Sequence, residues 1–252
     1  MKTFNEFKSY LISEGVHDPA IMKAIFLAGG PGSGKSHVTN KVRGDLGFKV
    51  VNSDDIFERG MRKQGLSFKM PPEEQEKRDE VRTRAKDLTN QRSELYKQGR
   101  LGMIIDGTGK DYDELQHKSE HLRKLGYDTH MIFVNTSLDV AHARNKKRER
   151  SVPDNIVTDS WKKVQNNIGK FQRHFGTDKF HIVDNNKDEE DSEALHHLHK
   201  SVRKIAQSEV ENPIGRQWID KQMKKISSAS QKPAEKKPAD TEPKEPTITR
   251  YY

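Results

Sequence analysis

Glycines, a lysine and a serine follow one another in a spacing that suits phosphate binding. Residues 29–36 read Gly-Gly-Pro-Gly-Ser-Gly-Lys-Ser and match the pattern G-x-x-x-x-G-K-[ST]. Because glycines lack a Cβ atom, successive backbone N–H groups in such a loop can converge on phosphate oxygens. In this pattern Lys35 reaches the β- and γ-phosphates, and the hydroxyl of Ser36 is a ligand of Mg²⁺. The segment therefore predicts a nucleotide site.

The residues on either side of the loop support this interpretation. An apolar run at residues 24–28 predicts a buried strand before the loop, and residues 37–44 can form a helix after it. The helix would add its unpaired N–H groups and the positive end of its dipole. We predict that ATP and Mg²⁺ bind here, the nucleotide contacts being Gly29, Gly30, Pro31, Gly32, Ser33, Gly34, Lys35, Ser36 and His37.

Carboxylates follow two further predicted strands. Residues 48–52 lead into Asp54 and Asp55, and residues 100–106 end in Asp106. The carboxyl ends of strands border the ligand crevice of an open α/β sheet. We expect Asp54 to accept the proton of an attacking hydroxyl, and Asp55 to face away because adjacent residues of an extended chain point to opposite sides. Asp106 would either bind Mg²⁺ through water or hydrogen-bond the acceptor.

Basic side chains end the helix predicted over residues 138–150. Arg144 and Arg148 lie four residues apart, just before Val152 and Pro153. Guanidinium groups stabilise the charge that develops on a transferring phosphoryl group. Clustered like charges repel one another until an anion gathers them, so we expect residues 146–151 to form a lid that closes over the phosphates.

The elements that position these residues alternate between strand and helix. Two more strands are predicted at residues 130–134 and 179–183, and helices fall between all five strands. Such alternation predicts right-handed parallel crossovers. The predicted fold class is α/β, a doubly wound parallel five-stranded sheet of the P-loop NTPase type with helices on both faces.

Composition limits the remaining possibilities. The 252 residues carry a formal net charge of +8 and 33% charged side chains, which favours an anionic partner such as nucleic acid or a phosphorylated small molecule. The absence of cysteine excludes disulfides, thiol catalysis and cysteine-ligated zinc. With no apolar run of membrane-spanning length and no signal-peptide pattern, we expect no membrane association and a cytoplasmic location.

Together these motifs resemble the 5′-hydroxyl polynucleotide kinases of tailed bacteriophages and, more distantly, the zeta-toxin kinases. The resemblance covers about residues 23–183 and implies the strand order 2-3-1-4-5. It also implies that Asp54 is the general base, that Arg144 and Arg148 are lid arginines and that Arg148 contacts the transferring phosphate. The phage kinases have an arginine three residues after the catalytic aspartate, where this chain has Phe57.

The resemblance leads to a functional hypothesis with two alternatives. The leading hypothesis is an ATP-dependent kinase whose acceptor is a nucleic-acid 5′-hydroxyl, with a strand-binding groove lined by Arg78, Arg82, Arg84 and Arg92. One alternative is a zeta-type kinase of a nucleotide sugar or small molecule. The other is a nucleotide-dependent switch without kinase activity.

Domain organisation follows from the same patterns and from a change of composition near the C-terminus. Residues 227–252 are rich in Pro, Lys, Glu, Ser and Thr, which predicts a disordered tail. We predict a leader helix at 1–20, a kinase domain at 21–186, a helical C-terminal extension at 187–226 and the tail at 227–252.

Overall fold

Strands and helices alternate along the described part of the chain, which comprises residues 15–43, 46–187 and 193–230 of a computed structural model. The strands are β1 (Lys23–Ala28), β2 (Lys49–Val51), β3 (Met103–Asp106), β4 (Asp128–Asn135) and β5 (Phe180–Asp184). The helices are α1 (Lys35–Arg43), α2 (Asp54–Lys63), α3 (Gln75–Gly99), α4 (Tyr112–Lys124), α5 (Leu138–Lys147), α6 (Asp154–Phe175), α7 (Glu193–Gln207) and α8 (Pro213–Ser230).

The five strands form one parallel sheet in the order β2-β3-β1-β4-β5. Both the predicted fold class and the predicted strand order are thereby confirmed. Strand β1 lies in the centre, and all six of its residues are buried, which explains why it reads as a continuous apolar run. Since the strands all run in one direction, their carboxyl ends lie at a single edge of the sheet.

Helices cover both faces of the sheet. Alternate residues of β1 point to opposite faces, so Ile25 and Leu27 join one core cluster, whereas Ala24 and Phe26 join the other. Residues of α1 and α7 complete the first cluster, and residues of α4 and α6 complete the second: Val38, Leu198, Val202, Ile205 and Ala206 on one side, and Leu115, Leu122, Val164, Phe171 and Phe175 on the other.

Helix α7 belongs to the core of this sheet, although the sequence assigned it to a C-terminal extension. Val202 is fully buried among the strand side chains. The connection from α7 to α8 is held by Asp128, which accepts hydrogen bonds from the backbone N–H groups of Glu211 (2.8 Å) and Asn212 (2.9 Å). The buried Lys23 ammonium pairs with the same carboxylate at 2.8 Å. The proposed boundary between residues 186 and 187 therefore does not coincide with a break in packing.

Two predicted segments fall largely outside the described residues. The leader helix at 1–20 is described only from Gly15, and the tail at 227–252 only as far as Ser230. Those first four residues of the predicted tail continue α8. None of the described helices is both long and apolar enough to cross a bilayer.

Burial of His130 on β4 should make stability depend on pH. Burial lowers the pKa of His130 to about 4, and the nearby Lys179 and Lys23 act in the same direction. Below pH ~6.5 the unfolded chain binds a proton that the folded chain rejects, so stability present above that pH is lost as the pH falls towards 4, by ~3 kcal/mol. Denaturant unfolding at a series of pH values should reveal this loss.

Variants isolate the contribution of this histidine. His130→Leu should flatten the decline between pH 6.5 and 4, whereas the same change at the exposed His17 should leave it unaltered. If stability declines equally in the His130→Leu variant, the loss of stability at low pH is caused by other groups.

Candidate active site

The glycine loop connects β1 to α1 at the carboxyl edge of the sheet. Gly32 and Gly34 have φ angles of 80° and 85°, in the left-handed region that side chains disfavour. A Cβ atom at Gly32 would overlap the backbone carbonyl of Ala141, and one at Gly34 would overlap the side-chain amide of Asn185. Close packing on two sides therefore requires glycine at both positions.

Polar side chains from β4 and β5 hold the loop from beneath. The Nδ2 of Asn185 donates to the carbonyl of Ser33 at 2.7 Å, and the hydroxyl of Thr136 donates to the same carbonyl at 3.2 Å. The indole of Trp161 donates to the carbonyl of Thr136 at 2.7 Å. These supporting residues were not predicted from the sequence, where their signal is a polar residue directly after each of the two strands.

Two groups of the loop suit an anion. The ammonium of Lys35 bends back to the carbonyl of Gly29 at 2.6 Å. Burial lowers the pKa of Lys35, while Asp106 and Asp54 oppose that shift. The Ser33 hydroxyl is buried and has no hydrogen-bond partner among the described residues. Because buried polar groups normally find partners, phosphate oxygens fit this loop.

Asp106 and Asn52 connect the ends of β3 and β2. The Nδ2 of Asn52 donates to Asp106 at 2.7 Å, and the Oδ1 of Asn52 accepts from the backbone N–H of Asp54 at 2.7 Å. Burial raises the pKa of Asp106, and the charge of Asp54 adds to the rise, although Lys35 opposes it. Asn52 thus fixes the start of α2 relative to Asp106, a role that the sequence analysis did not assign.

Two arginines flank Asp54. The guanidinium groups of Arg82, from α3, and Arg150, from the segment after α5, each lie 3.5 Å from its Oδ1. Arg150 also lies 3.4 Å from a carboxylate oxygen of Glu58. The Asp54 side chain remains 51% exposed, so it is accessible to an acceptor from the solvent side.

The expectation that Asp55 faces away from the site is wrong. It assumed an extended chain, but β2 ends at Val51 and helix α2 begins at Asp54. Adjacent residues of a helix differ by only about a third of a turn, so both carboxylates line the same cavity. Asp54 is nevertheless the one that raises the pKa of Lys35, together with Asp106.

Phe57 occupies the position where the resemblance expects an arginine. Its ring is buried with Met61 and Val81 between α2 and α3. The guanidinium of Arg82 lies 3.7 Å from the ring centroid, and that of Arg150 lies 5.6 Å from it. Phe57 therefore supports two arginines from other elements beside Asp54.

The predicted lid, residues 146–151, begins within α5, because that helix ends at Lys147, three residues before its predicted end. Asn145 holds its far end through two hydrogen bonds with the backbone of Val152, of 2.7 and 3.0 Å. Glu149 lies 3.3 Å from Arg62 of α2. Arg144 donates to the carbonyl of Asn185 at 2.7 Å, so its guanidinium is directed towards the segment after β5.

A cavity of about 500 Å³ brings most of the predicted residues together. Gly29 and His37 are not part of its lining; His37 continues α1, and Gly29 instead takes part in the bond with Lys35. Within the described residues there is no cluster of three acidic or histidine side chains that could hold a metal. The lining includes Gly30, Pro31, Gly32, Ser33, Gly34, Lys35, Ser36, Asn52, Asp54, Asp55, Asp106, Arg144 and Arg148.

Comparison with known proteins identifies the fold. A family model described as an AAA domain matches residues 25–170, more than half of the chain. No curated protein sequence matches this chain. The structure of AvrRxo1-ORF1:AvrRxo1-ORF2 with sulphate ions is similar, with a TM-score of 0.54 and 12% sequence identity over 70% of this chain and 60% of that chain.

Two further structures align with lower scores. The PezAT toxin–antitoxin system of Streptococcus pneumoniae aligns with a TM-score of 0.46 and 13% identity, over 92% of this chain and 99% of that one. Shikimate kinase from Bacteroides thetaiotaomicron aligns with a TM-score of 0.45 and 12% identity, over 74% and 99%. At such identities the likeness concerns the fold alone.

Proposed function

The chain belongs to the AAA domain family, and we propose that it is an ATP-dependent kinase that transfers the γ-phosphate to a nucleic-acid 5′-hydroxyl. The observation that carries this proposal is the meeting of Lys35, Asp54, Asp106 and Arg148 in one cavity at the carboxyl edge of the sheet. Phosphoryl transfer needs positioned charges and an acceptor for one proton, and these four side chains supply both.

The glycine loop and Lys35 would bind the phosphates of ATP. The start of α1 contributes backbone N–H groups, and Lys35 exchanges the carbonyl of Gly29 for the β- and γ-phosphates. Ser36 and Asp106 would hold Mg²⁺, since this ion keeps several waters and uses few protein ligands beside phosphate. When bound, Mg²⁺ supplies charge that offsets the negative charge of the phosphates.

Asp54 would accept the proton of the attacking hydroxyl. Arg82 and Arg150 lie 3.5 Å from one of its oxygens, which fixes the direction of the carboxylate. The other oxygen is then left for the hydroxyl of the acceptor. Proton transfer to a positioned carboxylate contributes ~10²–10⁴ in rate.

The choice of a nucleic acid as acceptor rests on charge and on the motifs shared with the phage kinases. The chain carries eight more basic than acidic side chains. Arg144 and Arg148 line the cavity, and Arg82 and Arg150 lie beside Asp54, which is part of the same lining. Polyanions bind such surfaces by displacing counterions. The proposed kinase unit comprises the predicted residues 21–186 together with α7, which contributes to the core of its sheet.

Removing the Arg148 guanidinium should reduce turnover more than ATP binding. Arg148 lines the cavity and lowers the pKa of Lys35 by its charge, so it lies near the expected phosphate position. Its contact should strengthen as charge develops, so Arg148→Ala should lower kcat by ~10²-fold with little change in the Kd for ATP. Steady-state kinetics with nucleotide titration measure both.

Arg173 of α6, which is exposed and lies outside the cavity lining, offers a matched control because its loss removes the same guanidinium group. Arg173→Ala should leave kcat unchanged. Equal losses of turnover and ATP affinity in Arg148→Ala would instead identify Arg148 as a ground-state clamp.

A transfer assay with a panel of acceptors tests the proposal. The protein is incubated with γ-labelled ATP and 5′-hydroxyl DNA, 5′-hydroxyl RNA, the corresponding 5′-phosphorylated strands or UDP-sugars. We expect label only on the 5′-hydroxyl strands. Label on a UDP-sugar alone would support kinase activity but contradict a nucleic-acid acceptor. ATP binding without any labelled product would favour the nucleotide-dependent switch.

A further inference from the structure

A second cavity adjoins the proposed catalytic cavity at the edge of the sheet. It encloses about 430 Å³ beside β2, between α2 and α3, and Asn52 and Asp55 belong to the lining of both cavities. Strand β2 is the outermost strand on this side, so no further strand of the described sheet closes the second cavity. The second cavity therefore lies next to Asp54, the neighbour of Asp55 in the chain, and is open on the side away from the sheet.

The lining of the second cavity is cationic. Lys49, Arg59 and Arg92 contribute three positive charges against the single carboxylate of Asp55. The Lys49 ammonium donates to the carbonyl of Gly47 at 2.9 Å and lies 3.8 Å from the Asp18 carboxylate, which offsets part of its charge. The Nε–H of Arg59 donates to the backbone carbonyl of Asp55 at 3.1 Å. Arg92 is exposed and makes no hydrogen bond or ion pair with any residue that the structure describes.

An aromatic ring lies at the same place. Tyr96 follows Arg92 by one helical turn on α3. It is half-buried, packs in part against the core cluster that contains Phe26, and also lines the cavity. Cations that contact phosphates, interleaved with a ring on which a base can stack, are the means by which proteins hold single strands without sequence preference.

Helix α3 separates this cationic side from an acidic one. Glu76, Asp79, Glu80 and Asp87 line a broad surface depression on its other side. Arg84 lies among these carboxylates, and the guanidinium of Arg78 donates to the carbonyl of Pro71. Of the four arginines predicted to line a strand-binding groove, Arg82 and Arg92 are therefore left on the cationic side. Ten residues of helix place these two about 15 Å apart along its axis.

We propose that the second cavity binds the single-stranded part of a nucleic-acid acceptor behind its 5′-terminal nucleoside, with Arg92 contacting a phosphate and Tyr96 stacking on a base. This proposal rests on the proposed function, because it assumes that the 5′ end lies at Asp54. A cationic cavity at the open edge of the sheet suits an extended nucleic-acid strand. A single nucleotide bound at Asp54 would make less use of this second cavity.

Binding of a labelled 5′-hydroxyl decadeoxynucleotide, measured by fluorescence anisotropy, tests the path without requiring turnover. Losing one phosphate contact should raise the Kd ~5-fold at ~0.1 M salt and reduce the slope of log K against log salt by ~0.7. Arg92→Ala should have both effects. Arg84→Ala, which removes the same charge from the acidic side of α3, should have neither.

Transfer kinetics separate failure of this inference from failure of the proposed function. Arg92→Ala should raise the KM for the decamer with kcat unchanged. It should raise the KM for a dinucleotide acceptor less, because a dinucleotide carries a single bridging phosphate. Phosphorylation of the decamer with identical binding by Arg92→Ala and Arg84→Ala would overturn the inference alone. Arg92-dependent binding without transfer would overturn the function alone, and a wild-type protein that binds no oligonucleotide, or only a UDP-sugar, would overturn both.

Discussion

Replacing Lys35 with alanine should abolish phosphoryl transfer while the protein remains folded. Lys35 is the cation at the start of α1 and is already placed against the glycine loop by its bond to Gly29. Its charge would face the β- and γ-phosphates both before and during transfer. The expected loss of kcat/KM is ~10³-fold or more, the range of a charged group that stabilises the transferring phosphoryl.

Two comparisons make the Lys35→Ala result interpretable. Circular dichroism and thermal unfolding should resemble those of the wild type, because among the described residues the Lys35 ammonium donates a hydrogen bond only to the backbone carbonyl of Gly29. Lys86→Ala, an exposed lysine of α3, should retain full activity. The Lys35→Ala variant should also lose its preference for binding ATP over ADP. Wild-type turnover in folded Lys35→Ala would exclude the proposed phosphate site.

Replacing Asp54 with asparagine should remove catalysis but keep ATP binding. The change preserves size and removes the proton acceptor, so transfer should fall by ~10³-fold while the Kd for ATP stays within a few fold. Asp55→Asn is the matched control because it removes the same charge from the next residue and from the same cavity. We expect Asp55→Asn to reduce the transfer rate far less, because Asp54 and Asp106 are the carboxylates whose charges raise the pKa of Lys35.

The pair of aspartate variants gives a clear discrimination. If transfer persists in Asp54→Asn but is lost in Asp55→Asn, the general base is Asp55 and not Asp54. Full activity in both would show that no carboxylate at the start of α2 removes the proton. A switch protein would keep its partner binding in both variants, because it needs no base.

The sheet and the glycine loop could be predicted from the sequence because their signals are local. The buried strand β1 is a continuous apolar run, and the loop has a fixed spacing of glycines, lysine and serine. Positions at the ends of β2 and β3 follow from parallel topology, so Asp54 and Asp106 were expected at one edge. The cavity that they line together agrees with that expectation.

The parts that could not be predicted depend on contacts between distant segments. Helix α2 begins at Asp54, where Asn52 bonds to the N–H of Asp54 and to Asp106, and no periodic pattern indicates that bridge. Arg150 lies near Asp54 only because the segment after α5 folds over α2. The ring of Phe57 reads as an ordinary core residue, and only the structure reveals the two guanidinium groups beside it.

The C-terminal helices illustrate the same limit. A change of composition marks where a core can no longer form, but it does not mark which helix packs on which face. Helix α7 contributes Leu198 and Val202 to the cluster around Ile25. The buried pair of Lys23 and Asp128 then fixes the turn that follows α7. Packing of this kind is tertiary information that a boundary based on composition cannot contain.

A single-turnover assay that locates the labelled phosphate tests the central claim most directly. Excess protein is mixed with γ-labelled ATP in the presence or absence of a 5′-hydroxyl oligonucleotide, and the products are digested to mononucleotides. We predict that the label appears in the 5′-terminal nucleotide and that its appearance requires the oligonucleotide, Lys35 and Asp54. Label found only as inorganic phosphate, at the same rate with and without oligonucleotide, would contradict a kinase that acts on nucleic-acid 5′ ends.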